Sequence, residues 1–180
     1  MPFNFSPDGK RLVSASTDKT VRIWMWQAGN DPKIELQSEI LAHDKTVFGL
    51  SISEDSKFAC SVSEDEQLKW WRLDGGSLEH KTRGGDRSVL VVAFSPDGKL
   101  LATGDETGHL RIWDMMRGNP RACSDNHSGA INALVWSADS KVIVSGGEDK
   151  TIRYWNASTG QQLANIAGHD GSIRALVALD

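Results

Sequence analysis

His43, Ser61 and Asp65, and again His127, Ser145 and Asp149, are the residue types that nucleophilic hydrolysis combines: a hydroxyl, an imidazole to take its proton and a carboxylate to orient the imidazole. In each set the serine stands ten residues, and the aspartate six, before a tryptophan, Trp71 or Trp155. The recurrence argues against hydrolysis. One catalytic site needs one set, and the tryptophan beside each set offers no acid–base chemistry. A buried hydrogen-bonded network that locks turns is the better reading. His43, His127 and His169 are candidate metal ligands by type, but they fall in separate repeats and should not converge. There is no Cys-x-x-Cys and no His-Glu-x-x-His. Gly84-Gly85 and Gly146-Gly147 read as strand-end and loop glycines, not as a phosphate cradle. No catalytic residue, metal site or cofactor is predicted.

The elements that would position these residues repeat. Ser6-Pro7-Asp8-Gly9-Lys10 returns as Ser95-Pro96-Asp97-Gly98-Lys99. Weaker copies are Ser53-Glu54-Asp55-Ser56-Lys57 and Ser137-Ala138-Asp139-Ser140-Lys141. Trp24, Trp71, Trp113 and Trp155 lie 47, 42 and 42 residues apart. Phe5, Ile52, Phe94 and Trp136, each just before a turn, show the same intervals. The five extra residues of the first interval fall around Gly29-Asn30-Asp31-Pro32. Each period holds short runs of β-branched and aromatic residues bounded by turn residues. Val89–Phe94 is apolar throughout, as suits a strand covered on both faces. Thr151–Trp155 alternates, with Ile152 and Tyr154 on the second side. Fourth strands are predicted over Ile34–Leu41, Ser77–Arg83, Arg121–Asn126 and Gln161–Ala167. The period predicts an all-β chain of four four-stranded antiparallel blades, with approximate repeats 1–42, 43–84, 85–126 and 127–168 and a further blade starting over 169–180.

The chain resembles the WD-repeat β-propeller family over its whole length. Trp113-Asp114 is a full Trp-Asp pair and Gly168-His169 a full Gly-His pair. His43 and His127 hold the same place after Ala42 and Asn126. At the other strand ends the pair has decayed to Trp24-Met25, Trp71-Arg72 and Trp155-Asn156. The resemblance implies a bonded tetrad in each blade, running from Trp through Ser or Thr and His to Asp. The donor-only indole N–H would find its acceptor in the neighbouring strand. The second blade offers His43, Ser61, Asp65 and Trp71, and the fourth His127, Ser145, Asp149 and Trp155. The first keeps Ser14, Asp18 and Trp24. The third keeps Thr103 and Trp113, but Gly85 replaces His and Thr107 replaces Asp, which predicts a less rigid corner.

The family's partners most often dock on the face that carries the turn between second and third strands. Carried over residue by residue, this gives Thr17, Glu64 and Glu148 before the turn, with Glu106 one residue out of register, and Phe48, Leu90, Asn132 and Arg174 early in the first strands. Three glutamates on one rim favour a basic partner segment, with Phe48 and Leu90 as apolar anchors. Trp26 and Trp70 lie off the repeat and are predicted to pack between blades. The function so implied is a protein–protein interaction scaffold or adaptor, not an enzyme. The alternatives are a sensor or regulatory module of a larger signalling protein and a propeller hydrolase.

Composition narrows the class. A net charge of −4 without any basic block argues against nucleic acid. No apolar run reaches the ~20 residues of a membrane span. Cys60 and Cys123 are too few for a disulfide framework and read as small buried hydrophobes. An intracellular, cytoplasmic protein is expected, with the nucleus open. The family closes rings of about seven blades, within the ~4–8 of propellers. Four repeats therefore predict part of a longer ring, a head-to-tail homodimer completing eight blades, or a closed four-bladed ring. Phe3-Asn4-Phe5 and Ser172–Leu179 are both predicted to be first strands.

Overall fold

Phe5, Ile52, Phe94 and Trp136 each close a first strand just before a Ser-x-Asp turn, and this turn builds the fold. In each copy the serine hydroxyl donates to the aspartate two residues on, at 2.6–2.7 Å. The same carboxylate accepts the N–H of the following lysine. The serine oxygen also accepts the N–H that opens the second strand. The turn thus bonds its serine, aspartate and lysine groups to one another and reverses the chain.

The computed structural model describes residues 2–27, 29, 32–115, 120–122 and 126–178. They form four antiparallel sheets, each a meander of consecutive strands. Blade 1 is Phe3–Phe5 (β1), Arg11–Ala15 (β2), Thr20–Gln27 (β3) and Lys33–Leu41 (β4). Blade 2 is Val47–Ile52 (β5), Phe58–Ser63 (β6), Gln67–Arg72 (β7) and Leu78–Arg83 (β8). Blade 3 is Val89–Phe94 (β9), Leu100–Asp105 (β10), Leu110–Asp114 (β11) and Pro120–Ala122 (β12). Blade 4 is Ile131–Trp136 (β13), Val142–Gly147 (β14), Thr151–Asn156 (β15) and Gln162–Ala167 (β16). The first strands β1, β5, β9 and β13 touch in succession, while β8 and β16 are mostly exposed at the outer edge. The fold is the all-β propeller architecture, four blades in series.

Three apolar clusters sit between blades, and each is built the same way. Trp71 and Leu73 of blade 2 pack back onto Val13, Ala15, Val21 and Ile23 of blade 1. Trp113 of blade 3 packs back onto Cys60, Val62, Leu68 and Trp70 of blade 2. Trp155 of blade 4 packs back onto Ala102, Leu110 and Ile112 of blade 3. Trp70 therefore lies between blades, whereas Trp26 is half-buried and meets Phe5 edge-on at 6.0 Å within blade 1. Cys60 is fully buried, and burial pushes its thiol pKa up. Cys123 lies outside the described residues, as do Asn30 and Asp31 of the insertion between β3 and β4.

Two strand expectations are corrected. The fourth strand of blade 3 covers Pro120–Ala122 rather than Arg121–Asn126; Asn126 is outside it, and Cys123–Asp125 are outside the described residues. Residues 172–178 form no strand, and Leu179 lies outside the described residues. Elsewhere each first strand is held by the second strand of its own blade, and among the described residues no strand pairs with 172–178. Ile173 still docks as a first-strand residue would. Its N–H donates to the Gly147 carbonyl at 3.0 Å, just as the Val47 N–H donates to Ser16 at 3.2 Å between blades 1 and 2.

Candidate functional site

The turns between second and third strands share one face of the molecule, and the tetrads stand directly beneath them. In blade 2 the Trp71 indole donates to Ser61 Oγ at 2.8 Å, Ser61 meets His43 Nε2 at 2.7 Å, and His43 Nδ1 meets Asp65 at 2.9 Å. Blade 4 repeats this with Trp155, Ser145, His127 and Asp149 at 2.8, 2.7 and 2.8 Å. Only one assignment of protons satisfies every group. Indole donates to hydroxyl, hydroxyl to Nε2, and Nδ1–H to carboxylate, which requires a neutral imidazole. Electrostatics agree. Burial pushes the His43 and His127 pKa down more than Asp65 and Asp149 pull it up. Burial alone would raise Asp65 and Asp149, but bonds from backbone N–H groups and from the imidazoles outweigh it, and both carboxyls sit below their usual range. The serine oxygen has no open side toward solvent, being fully buried in both blades. The arrangement holds turns in place; it does not expose a nucleophile.

Blades 1 and 3 fill the corner differently. In blade 1 Trp24 donates to Ser14 at 3.0 Å, and Asp18 caps its own turn through Thr20 and pairs with Arg22 at 3.1 Å. The Thr20 hydroxyl and N–H hold the Asp18 pKa down to about 2. In blade 3 Trp113 donates to Thr103 at 3.0 Å, and Thr103 reaches the Gly84 carbonyl only at 3.5 Å. The carboxylate is not absent there. It has moved two residues upstream to Asp105, which is 1% exposed and accepts from Thr107, the His109 N–H and Arg111 at 2.7 Å. Arg111 also holds Asp86 at 2.6 Å. The corner expected to be loose is thus bridged by an Asp105–Arg111–Asp86 set.

A fifth member of the network was missed from the sequence. Arg22, Lys69, Arg111 and Arg153 recur at the tryptophan's own intervals, two residues before it. Lys69 donates to the Ala42 carbonyl at 2.7 Å, and Arg153 to Asn126 at 2.6 Å and Asp149 at 3.2 Å. Their common interval was the available signal.

The candidate contact residues are placed by the same joints. Glu64, Glu106 and Glu148 each donate a backbone N–H to the loop before their own first strand, at Thr46, Ser88 and Ala130, at 3.0, 3.0 and 2.9 Å. Glu106 is therefore in register, which corrects the expected offset: Thr107 replaces an aspartate without shifting the turn. Thr17, Glu106 and Glu148 are exposed, and Glu64 is half-buried beside Lys45 at 3.7 Å. Gly129 stands at the position of Lys45 in blade 4, close under Glu148 Cβ, so Glu148 has no such cation. Phe48 is 39% exposed, Leu90 half-buried and Arg174 exposed. Asn132 is committed to stitching, donating to the Ile173 carbonyl at 3.3 Å. His169 is exposed, and among the described residues no group of three His, Cys, Asp or Glu could hold a metal.

Comparison with known proteins follows the repeat. The family model for the nucleolar protein 10-like N-terminal domain matches residues 72–179, and that for the WD domain, G-beta repeat, matches residues 3–25 and 34–72. WD repeat and SOCS box-containing protein 1 of Homo sapiens is 38% identical over 72 residues, 39% of this chain and 16% of that protein. The ribosome biogenesis protein WDR12 homolog of Trichoplax adhaerens is 33% identical over 63 residues, 35% of this chain and 14% of that protein. Apoptotic protease-activating factor 1 of Mus musculus is 36% identical over 75 residues, 42% of this chain and 5% of that protein. Each match spans less than a fifth of the relative's length. With two family models between them covering all four blades, the chain belongs to the WD-repeat β-propeller family.

Proposed function

We propose that this chain is an intracellular, cytoplasmic protein-interaction scaffold whose tetrad-bearing face takes a basic segment of a partner protein. WD-repeat propellers generally bind other proteins and are generally not catalytic. The observation that carries the finer reading is the identical backbone anchoring of Glu64, Glu106 and Glu148, one per blade along one rim. A rigid frame beneath repeated carboxylates suits recognition of a basic strand of chain. Phe48 and Leu90 offer apolar surface beside them. Glu148, lacking a neighbour equivalent to Lys45, contributes most to the attraction. The Glu64→Lys, Glu148→Lys double variant should keep its melting temperature and lose about tenfold or more in affinity for a Lys/Arg-rich peptide, measured by titration calorimetry. Unchanged affinity removes the reading. The uncovered faces of blades 1 and 4 support a second mode of association, head to tail with another copy, which sedimentation over a range of concentrations tests.

A further inference from the structure

The opposite face carries the Ser-x-Asp turns, and at two of the three joints a serine hydroxyl of one turn ties it to the turn of the preceding blade. The Ser56 hydroxyl accepts the Asp8 N–H at 3.1 Å across the joint of blades 1 and 2. The Ser140 hydroxyl accepts the Asp97 N–H at 3.1 Å across the joint of blades 3 and 4. The equivalent position between blades 2 and 3 is Gly98, which has no hydroxyl for Asp55. At that joint the tie is instead the Phe94 N–H, which donates to Ser51 Oγ at 3.1 Å, and a cleft of about 830 Å³ lies beside the turns. Its walls are Phe58, Trp70, Phe94, Pro96 and Met115, with His80 packed on Trp70 at 4.7 Å, and its rim carries Glu54, Asp55, Glu79 and Asp97.

We infer that this cleft binds an arginine side chain flanked by apolar residues on a partner polypeptide. The volume is that of a ligand pocket, mostly apolar with a few directed polar groups. Four carboxylates and no lysine or arginine line it. Asp55 and Asp97 are met from outside by Lys57 and Lys99, both exposed, and Glu79 by Arg72 at 3.9 Å; Glu54 has no ion pair among the described residues. The aromatic wall already accepts this chemistry: the Arg72 guanidinium stands 5.6 Å from the Phe58 ring centroid. A planar guanidinium stacks on such faces and bonds to carboxylates at its edge. The site is separate from the glutamate rim and does not depend on it.

Gly98→Ser is the discriminating variant. Ser56 and Ser140 hold φ of 57° and 60°, Gly98 holds 70°, and a Cβ there meets nothing within 4 Å. The added hydroxyl should tie the Asp55 N–H and close the cleft without unfolding the chain. The probes are acetyl-Leu-Arg-Leu-amide and its Leu-Gln-Leu counterpart, titrated into the labelled 180-residue chain. The readout is the Trp70 indole N–H resonance, assigned through Trp70→Phe. The arginine peptide should shift it saturably, with the glutamine peptide about tenfold weaker. Gly98→Ser and Glu54→Lys should each weaken the arginine peptide about tenfold or more, while Glu35→Lys, an exposed site on β4, leaves it unchanged. No saturable shift, equal binding of both peptides, or undiminished binding by a folded Gly98→Ser or Glu54→Lys chain overturns the inference.

Discussion

A buried histidine that must stay neutral makes stability depend on pH. Both tetrad imidazoles have side chains fully removed from solvent, and burial lowers their pKa below the ordinary 6.5. On acidification the unfolded chain takes up protons near pH 6.5 while the folded chain resists. Stability from this source is therefore present above 6.5 and is lost as pH falls toward the lower folded value. The aspartates act in the same sense lower down: their pKa lies below 3.8, so their contribution is lost only as pH falls from 3.8 toward the folded value. Between pH 7 and 5 the unfolding free energy should decline by up to about 1.4 kcal/mol per histidine per pH unit. Urea titrations at several pH values measure this, and the His43→Gln, His127→Gln double variant should show a shallower decline. A flat profile in the unmutated chain would mean that the imidazoles take up protons in the fold as readily as in the unfolded chain. Protonation would put a second donor against each serine and leave its hydroxyl without a partner, so the proton count and the geometry stand or fall together.

At the scale of the strand, the same contact is solved three ways. Gly49 faces Val62, Val91 faces Gly104, and Ala133 faces Gly146 across equivalent first and second strands. In blades 2 and 3 a valine on one strand is met by a glycine on the other, and in blade 4 both residues are small. The next blade closes the contact, with Val89 against blade 2 and Ile131 against blade 3, where a Cβ at Gly104 would come within 2.6 Å of the isoleucine. Gly104→Val should cost about 1–3 kcal/mol by overpacking. Adding Val91→Gly and Ile131→Val, which recreates the set found at blades 2 and 3, should recover much of the loss in chemical denaturation. Failure to recover would place the strain in the backbone instead. Much of this was legible beforehand. The tryptophan and turn intervals marked the repeated blades, and the resemblance to WD repeats matched Ser61, Asp65 and His43 to Trp71. What could not be read was how side chains meet. The bridge from Asp105 through Arg111 to Asp86 uses two aspartates that the tetrad pattern does not mark, and Gly98 borders a cleft only because neighbouring turns face one another. Residues 172–178 form no strand because strand propensity needs a partner, and none of the described strands pairs with them.

At the scale of the whole molecule the stack has a direction. Trp71, Trp113 and Trp155 each press on the blade before, and each is at most 4% exposed. Trp24 makes the same indole bond but has no earlier blade among the described residues to lie against, and it is half-buried, with Phe3 and Phe5 64% and 53% exposed on the strand nearby. At the other end Val144, Ile152 and Tyr154 are half-buried where Cys60, Leu68 and Trp70 of blade 2 are covered. Identical residues in identical bonds should then differ in worth by position alone. Trp113→Ala should cost about 3–5 kcal/mol, as for a large core aromatic. Trp24→Ala should cost less than half of that when the chain is dilute, because water already reaches one side of the ring. Urea denaturation of the two variants at low micromolar concentration makes the comparison. If the costs are equal, and become unequal on further dilution, the backward face of blade 1 is covered by the forward face of blade 4 of a second copy. If they are equal at every dilution, the rule that each tryptophan draws its stabilisation from the preceding blade is wrong, and the indole bond to the Ser14 or Thr103 hydroxyl carries it instead.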